Sequence, residues 1–280
     1  MIRTWARRCA VAACIVVPPV LLLLGWGPLS SGHPVHLVLL AVVVAVGIAM
    51  ALWRRVPAWL AVVVAVLLVA PTVYLQPFGA TTIVMAENTA TTAVLRPDGP
   101  VRAGLVFHPG ARVDHRAYFP LLRRVAAEGF LVVVVKEPVG IALLGGDTAQ
   151  VRRNHPDVPV WAVGGHSLGG VAAAQDVLAD GSVRGLVLWA SYPVDDLSTR
   201  ENLTAWSISG ERDGFTTPQD VAESRKLLPA GTHFEVVAGA VHAYFGDYGD
   251  QPGDGVPTRS RAEAQDRIVE HTVAALNDLS

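Results

Sequence analysis

One five-residue segment carries the chemistry most visibly: Gly165-His166-Ser167-Leu168-Gly169, which fits G-x-S-x-G. A serine hydroxyl is a weak nucleophile until a base takes its proton. It must also stand clear of the backbone to reach a carbonyl carbon. A sharp strand-to-helix turn does this, and glycines two residues before and after the serine let the chain pack that tightly. Here a buried-looking run, VWAVG, leads in, an Ala-rich helical pattern leads out, and Gly164 and Gly170 flank the turn. The helix start behind the serine offers N–H groups to a developing oxyanion, which points to Leu168 as one donor.

A base and a carboxylate follow in the chain order Ser, Asp, His. Asp213 sits in Gly210-Glu211-Arg212-Asp213-Gly214, just beyond the run LTAWSISG. Glu211 is the competing carboxylate, and a turn aspartate is the ordinary alternative for an Asp-Gly pair. His242 sits in Gly239-Ala240-Val241-His242-Ala243, just beyond HFEVVAG. An imidazole there can take the serine proton and later return it to the leaving group. His233, His271 and His155 fall at a strand start, in the last helix and before a strand, while His33 and His36 belong to the apolar N-terminal third. The second oxyanion donor is expected from the loop His108-Pro109-Gly110-Ala111, at Ala111 or Gly110, because Pro109 has no N–H to give.

The elements that must hold these residues alternate from about Thr81 onward. Strand-like runs are TTIVMAEN, TTAVLRP, AGLVFHPG, FLVVVVKEP, VWAVGG, GLVLWAS, LTAWSISG and HFEVVAG. Helices are expected over 117–128, 146–154, 168–178, 219–228 and 259–279. Continuous apolar runs such as LVVVV suit parallel strands buried on both faces, and the alternation implies a doubly wound, mostly parallel α/β sheet.

The first 77 residues are another material. They contain no Asp, Glu or Lys and five Arg: Arg3, Arg7, Arg8, Arg54 and Arg55. All 24 acidic residues and the other 17 basic ones lie beyond, for a formal −7 there. That acidic balance argues against a nucleic-acid partner. Three apolar stretches, about 9–26, 35–53 and 58–75, each approach the ~20 residues that cross a bilayer. A cleaved signal peptide is the alternative for the first. The arginines place the N-terminus and the second turn in the cytoplasm, so three crossings put the remainder outside it. The division expected is therefore a membrane anchor over 1–77 and a catalytic domain over 78–280. Both cysteines, Cys9 and Cys14, fall in the first stretch.

Together the segments FHPGARVDHRAYFPLLRRVAAEGFLVVVV, VGGHSLGG, SGERDG and GAVHAYFGDYGDQPGDG resemble the α/β-hydrolase superfamily, and within it the compact dienelactone-hydrolase-like branch. The resemblance covers about residues 81–280. It implies cleavage of an ester or related acyl bond through an acyl-enzyme, on a small-molecule or lipid-like substrate, with no metal or organic cofactor. Only SYPVDDLSTREN separates GLVLWAS from the next strand, so no large lid is inserted there. The dienelactone hydrolases proper use cysteine where Ser167 stands, so their particular reaction is not implied.

Other readings belong to other classes. An acyltransferase would use the same triad, a tethered binding module would not use it, and a transport component would need polar residues inside the spans, which are lacking. Arg112, Asp114 and His115 could touch substrate, but helix capping and surface pairing are the commoner uses of such residues. Asp247, Asp250 and Asp254 fit no calcium loop, and Gly-Asp clusters usually make turns. Glu137 follows a strand with no assigned role.

Overall fold

The computed structural model describes residues 2–146 and 148–280. Met1 and Asp147, the latter inside the helix expected over 146–154, lie outside the described residues. The chain opens with helices α1 (Ile2–Leu24), α2 (Trp26–Ser31), α3 (Val35–Leu52) and α4 (Ala58–Tyr74). Two of these, α1 and α3, are long and apolar enough to cross a membrane; α4 is equally apolar but has 17 residues. Of the three spans expected, two correspond to helices of sufficient length and the third falls short. Cys14, Val43 and Ala61 are buried where α1, α3 and α4 pack together.

The rest is one eight-stranded sheet: β1 (Glu87–Asn88), β2 (Thr92–Leu95), β3 (Ala103–His108), β4 (Phe130–Val135), β5 (Trp161–His166), β6 (Gly185–Trp189), β7 (Thr204–Gly210) and β8 (His233–Val237). The spatial order is β1-β2-β4-β3-β5-β6-β7-β8, with the β1–β2 and β2–β4 pairs antiparallel and the other five pairs parallel. Helices α5 (Phe119–Ala127) and α9 (Arg261–Asn277) cover one face. The other is covered by α6 (Thr148–Arg153) and α7 (Leu168–Ala179), with α8 (Pro218–Ser224) alongside β7. Strand β4 explains why this needs a continuous apolar run. Phe130, Val132 and Val134 enter the core under α5 and α9, while Leu131, Val133 and Val135 enter the core under α7. Successive side chains point to opposite faces, and both faces are dry.

One expected strand is mostly absent. In TTIVMAEN only Glu87–Asn88 pairs with a neighbour, and Ile83 and Met85 stay exposed. Val84 and Ala86 pack against the core, but no strand lies beside the backbone before Glu87 to pair with it.

The strand order reverses between β3 and β5. The chain moves from β3 outward to β4, then crosses back to β5 on the opposite side. Open α/β sheets hold their ligands beyond the carboxyl ends of strands at such a reversal. The two loops that meet there begin at His108 and at His166.

Candidate active site

Ser167 is the residue between β5 and α7, and its backbone stands at φ 54°, ψ −123°. A non-glycine residue there carries roughly 1–3 kcal/mol of strain, which the surroundings must hold in place. Several contacts do so. The Ser167 N–H donates to the Trp189 carbonyl at 3.0 Å, and the Ser191 hydroxyl donates to the Ser167 carbonyl at 2.7 Å. The flanking glycines have a steric cause. A Cβ at Gly169 would fall on the carbonyls of His108 and Pro109, and one at Gly165 on the backbone of Gly169. The loop after β3 is thus pressed against the start of α7, and only glycine permits it.

Asp213 and His242 are brought together from the ends of β7 and β8. Nδ1 of His242 donates to Asp213 Oδ2 at 2.9 Å, with Oδ1 at 3.1 Å, and both side chains are buried. Asp213 Oδ1 also accepts from the N–H groups of Phe215 (2.8 Å) and Thr216 (2.7 Å). A carboxylate fixed this way holds the ring in the tautomer whose Nε2 is free to accept a proton. The ring lies 4.4 Å, centroid to centroid, from that of His166, the neighbour of Ser167. The Ser167 hydroxyl and the His242 ring are not hydrogen-bonded to each other in this structure. Catalytic pairs of this kind often tighten only in the substrate complex. Glu211, the rival carboxylate, instead accepts the Gly239 N–H at 2.7 Å.

The three expected oxyanion donors divide. The N–H of Gly110 donates to the Tyr118 hydroxyl at 2.9 Å, so it is not available, and Gly110 is set aside. Among the described residues the N–H groups of Ala111 and Leu168 have no partner within the protein. Ala111 lies in the loop after β3 and Leu168 opens α7, the two segments that meet at the strand reversal.

Four further residues support this arrangement and could not be read from motif spacing. Asp254 clamps the loops that carry Asp213 and His242 together: its carboxylate accepts N–H bonds from Gly214 (3.1 Å), His242 (3.2 Å) and Ala243 (2.8 Å). That gives the Gly-Asp loop a use other than cation binding. Asp250 lies against Arg261, and no group of metal-binding side chains occurs among the described residues. Tyr118 accepts from Gly110 and bonds His166 Nδ1 at 2.8 Å. His166 is fully buried, and burial, followed by the nearby His242, holds its ring well below the ordinary histidine range. The ring is neutral at physiological pH.

His108 is the fourth. Its Nδ1 faces Glu137 at 2.6 Å and its Nε2 faces Asp176 of α7 at 2.9 Å; His108 and Glu137 are buried and Asp176 is half-buried. Burial alone would lower this ring, but bonds and charges from Asp176 and Glu137 outweigh it and push it up to about 9. Burial raises the Glu137 carboxyl. Of the residues open to over-reading, Asp114 caps the short turn at His115–Tyr118 and pairs with Arg116 at 2.6 Å. Arg112 lies over the rings of Tyr74 and Phe78.

A strained serine between strand and helix, a carboxylate-held histidine and an open pair of N–H groups are thus gathered at the sheet reversal. The family model for the alpha/beta hydrolase family matches residues 104–266, more than half of the chain. The chain belongs to that family. No curated protein sequence matches it. Among solved structures it is similar to a thermophilic esterase from the planctomycete Thermogutta terrifontis, at 14% identity and TM-score 0.51, over 68% of this chain and 87% of that one. It is also similar to an esterase domain from Rhodothermus marinus, at 12% identity and TM-score 0.50, over 66% and 92%. A third is Thermogutta terrifontis esterase 2 phosphoramylated by tabun, at 17% identity and TM-score 0.51, over 72% and 93%. These likenesses speak to the fold.

Proposed function

We propose that this chain is a membrane-anchored serine hydrolase that cleaves a carboxylic ester through an acyl-enzyme on Ser167. Ser167 Oγ attacks the ester carbonyl while its proton passes to His242 Nε2. Asp213 stabilises the imidazolium and keeps the ring aligned. The tetrahedral oxyanion is received by the N–H groups of Leu168 and Ala111. Collapse expels the alcohol, which takes the proton from Nε2, and water repeats the sequence to release the acid. The observation that carries the reading is the buried Asp213–His242 pair at 2.9 Å, brought beside the strained Ser167 turn. The similar folds of two esterases, one of them with a tabun-phosphoramylated form, support an acyl ester as the substrate class.

The anchor in this reading is residues 1–77, with the catalytic domain from residue 78 on the extracytoplasmic side. Arg54 and Arg55 cap the turn between α3 and α4, remote from the sheet, and the Arg7 side chain bonds the carbonyls of Met50 and Trp53 at that same end. Positive charge gathered at one end fits a cytoplasmic face there.

Two measurements test this. Full-length Ser167→Ala is expected to lose hydrolysis of p-nitrophenyl butyrate and labelling by a fluorophosphonate probe, and labelling that persists would reject the nucleophile. A phosphatase fused at the C-terminus is expected to be active in cells, and a signal confined to the cytoplasm would reverse the orientation.

A further inference from the structure

The helical anchor meets the catalytic domain at one edge of the sheet. Gly27, in α2, lies against the Arg116 guanidinium, and Tyr74, at the end of α4, lies 4.4 Å from that of Arg112. Phe78 bridges to Val113, donating its N–H to Arg112 O at 2.6 Å and accepting from Asp114 N–H at 2.9 Å. A narrow gap is walled on one side by Pro28, His33 and His36 and on the other by Pro109, Lys136 and Gly140. Every domain residue in these contacts follows the carboxyl end of β3 or β4 or belongs to the segment joining them to the anchor. That is the edge where Ser167 stands.

Exposed apolar side chains gather on this edge. Beyond residue 77, nine large hydrophobic side chains are exposed among the described residues. Five lie in loops that follow strand carboxyl ends: Leu143 and Leu144 after β4, Val194 after β6, Phe215 after β7 and Val256 after β8, from 43% to 80% exposed. Two more, Ile83 and Met85, line a groove against α3. Only Leu178 and Val236 lie elsewhere. Phe215 sets its ring edge-on to His242, 5.3 Å between centroids, so the apolar rim reaches the reacting groups. Water-facing loops do not collect Leu, Phe and Val by default, and an exposed apolar set gathered on one edge marks a surface that something covers.

We infer that the bilayer spanned by the anchor covers this rim, and that the substrate is an ester whose acyl chain resides in that bilayer. The inference rests on the anchored-hydrolase reading. Helices that cross the membrane and dock on the catalytic edge hold that edge toward the leaflet they leave. The rim side chains then contact the lipid boundary, as interfacial apolar surfaces do. An ester leaving the leaflet reaches Ser167 beneath Phe215 without its chain crossing water. No large lid need open, because the membrane takes the place of a cover.

Cysteines introduced at Leu144, Val256 and Ser182 test this in full-length protein lacking Cys9 and Cys14. Ser182 lies in the exposed turn before β6, at the other edge of the sheet. Each variant is labelled with bimane and reconstituted into phosphatidylcholine vesicles containing doxyl-labelled phosphatidylcholine. Strong quenching at positions 144 and 256, at least threefold above that at 182, is expected. Equal quenching at all three, or none at the rim, overturns the proposal, and neither result depends on catalysis. In parallel, Leu144→Glu/Val256→Glu is compared with wild type on two esters. Hydrolysis of a long-chain nitrophenyl ester embedded in the vesicles is expected to fall at least tenfold, with p-nitrophenyl butyrate unchanged within twofold. Equal turnover of the embedded ester by both proteins also overturns it. Loss of butyrate hydrolysis on Ser167→Ala reports separately on the chemistry, so a failure of that reading is distinguishable.

Discussion

Two buried histidines stand on either side of Ser167, each held by carboxylate, and they are built for opposite ends. His242 has one carboxylate, Asp213, on Nδ1, and its Nε2 has no hydrogen-bond partner among the described residues. His108 has a carboxylate on each nitrogen, Glu137 and Asp176. A neutral imidazole has one N–H, so two acceptor-only partners favour the doubly protonated ring, and no nitrogen remains to exchange a proton. The first arrangement can carry a proton. The second is a tie: it joins the end of β3 to α7, the helix that follows Ser167. A histidine beside a carboxylate is thus no signature of catalysis by itself; the open nitrogen is.

The sharpest way to break this comparison is to remove each ring in turn. His242→Gln is expected to lower kcat/KM for p-nitrophenyl butyrate by about 10³–10⁴-fold, the scale of losing a triad member. Its denaturation midpoint should move little. His108→Gln should do the reverse. It leaves the buried Glu137 and the half-buried Asp176 without their cation, costing about 3–5 kcal/mol in urea unfolding, while activity per folded molecule falls far less than for His242→Gln. Similar kinetic losses in both variants would erase the distinction.

Next in size is Tyr118→Phe. It strips the Gly110 N–H of its acceptor and His166 Nδ1 of its partner, both buried. The expected cost is about 1–3 kcal/mol in stability, with a raised KM where the 108–111 loop loosens. An unchanged unfolding midpoint would show that the hydroxyl does not hold the loop.

The smallest effects are those of pH on stability. His108 has a folded pKa raised to about 9, so its contribution is complete below its ordinary value of about 6.5 and is lost as pH rises toward 9. His115 runs the other way: burial lowers it to about 4, and its contribution is present above about 6.5 and lost as pH falls toward 4. His166, also lowered, adds to the acid-side loss. Unfolding midpoints measured across this range should sag at both ends, and His108→Gln should flatten only the alkaline side. An alkaline sag unchanged in that variant would place its origin elsewhere.

How far the sequence carries depends on how local the determining contacts are. FLVVVV reads as a doubly buried strand because each of its side chains faces a core, and β4 has that burial. The G-x-S-x-G turn is legible because its glycines answer steric demands from residues within the turn and one adjoining loop. TTIVMAEN misleads because its alternation is real, with Val84 and Ala86 on the core and Ile83 and Met85 outward, yet only its last two residues find a strand to pair with. The tie at His108 is invisible in sequence: its carboxylates lie 29 and 68 residues away and no spacing announces them. Asp254 is hidden for a related reason, since what it grips is the backbone N–H of Gly214, His242 and Ala243 rather than any recognisable side chain. Gly110 and Ala111 were equal candidates by position, and a phenol eight residues on from Gly110 separates them.

The most direct test of the central claim is to treat the full-length protein with a fluorophosphonate and map the adduct by peptide mass spectrometry. The adduct should sit on Ser167 alone and form at least a hundredfold more slowly in His242→Gln. An adduct on another residue, or an equal labelling rate without the imidazole, would contradict the assignment of nucleophile and base.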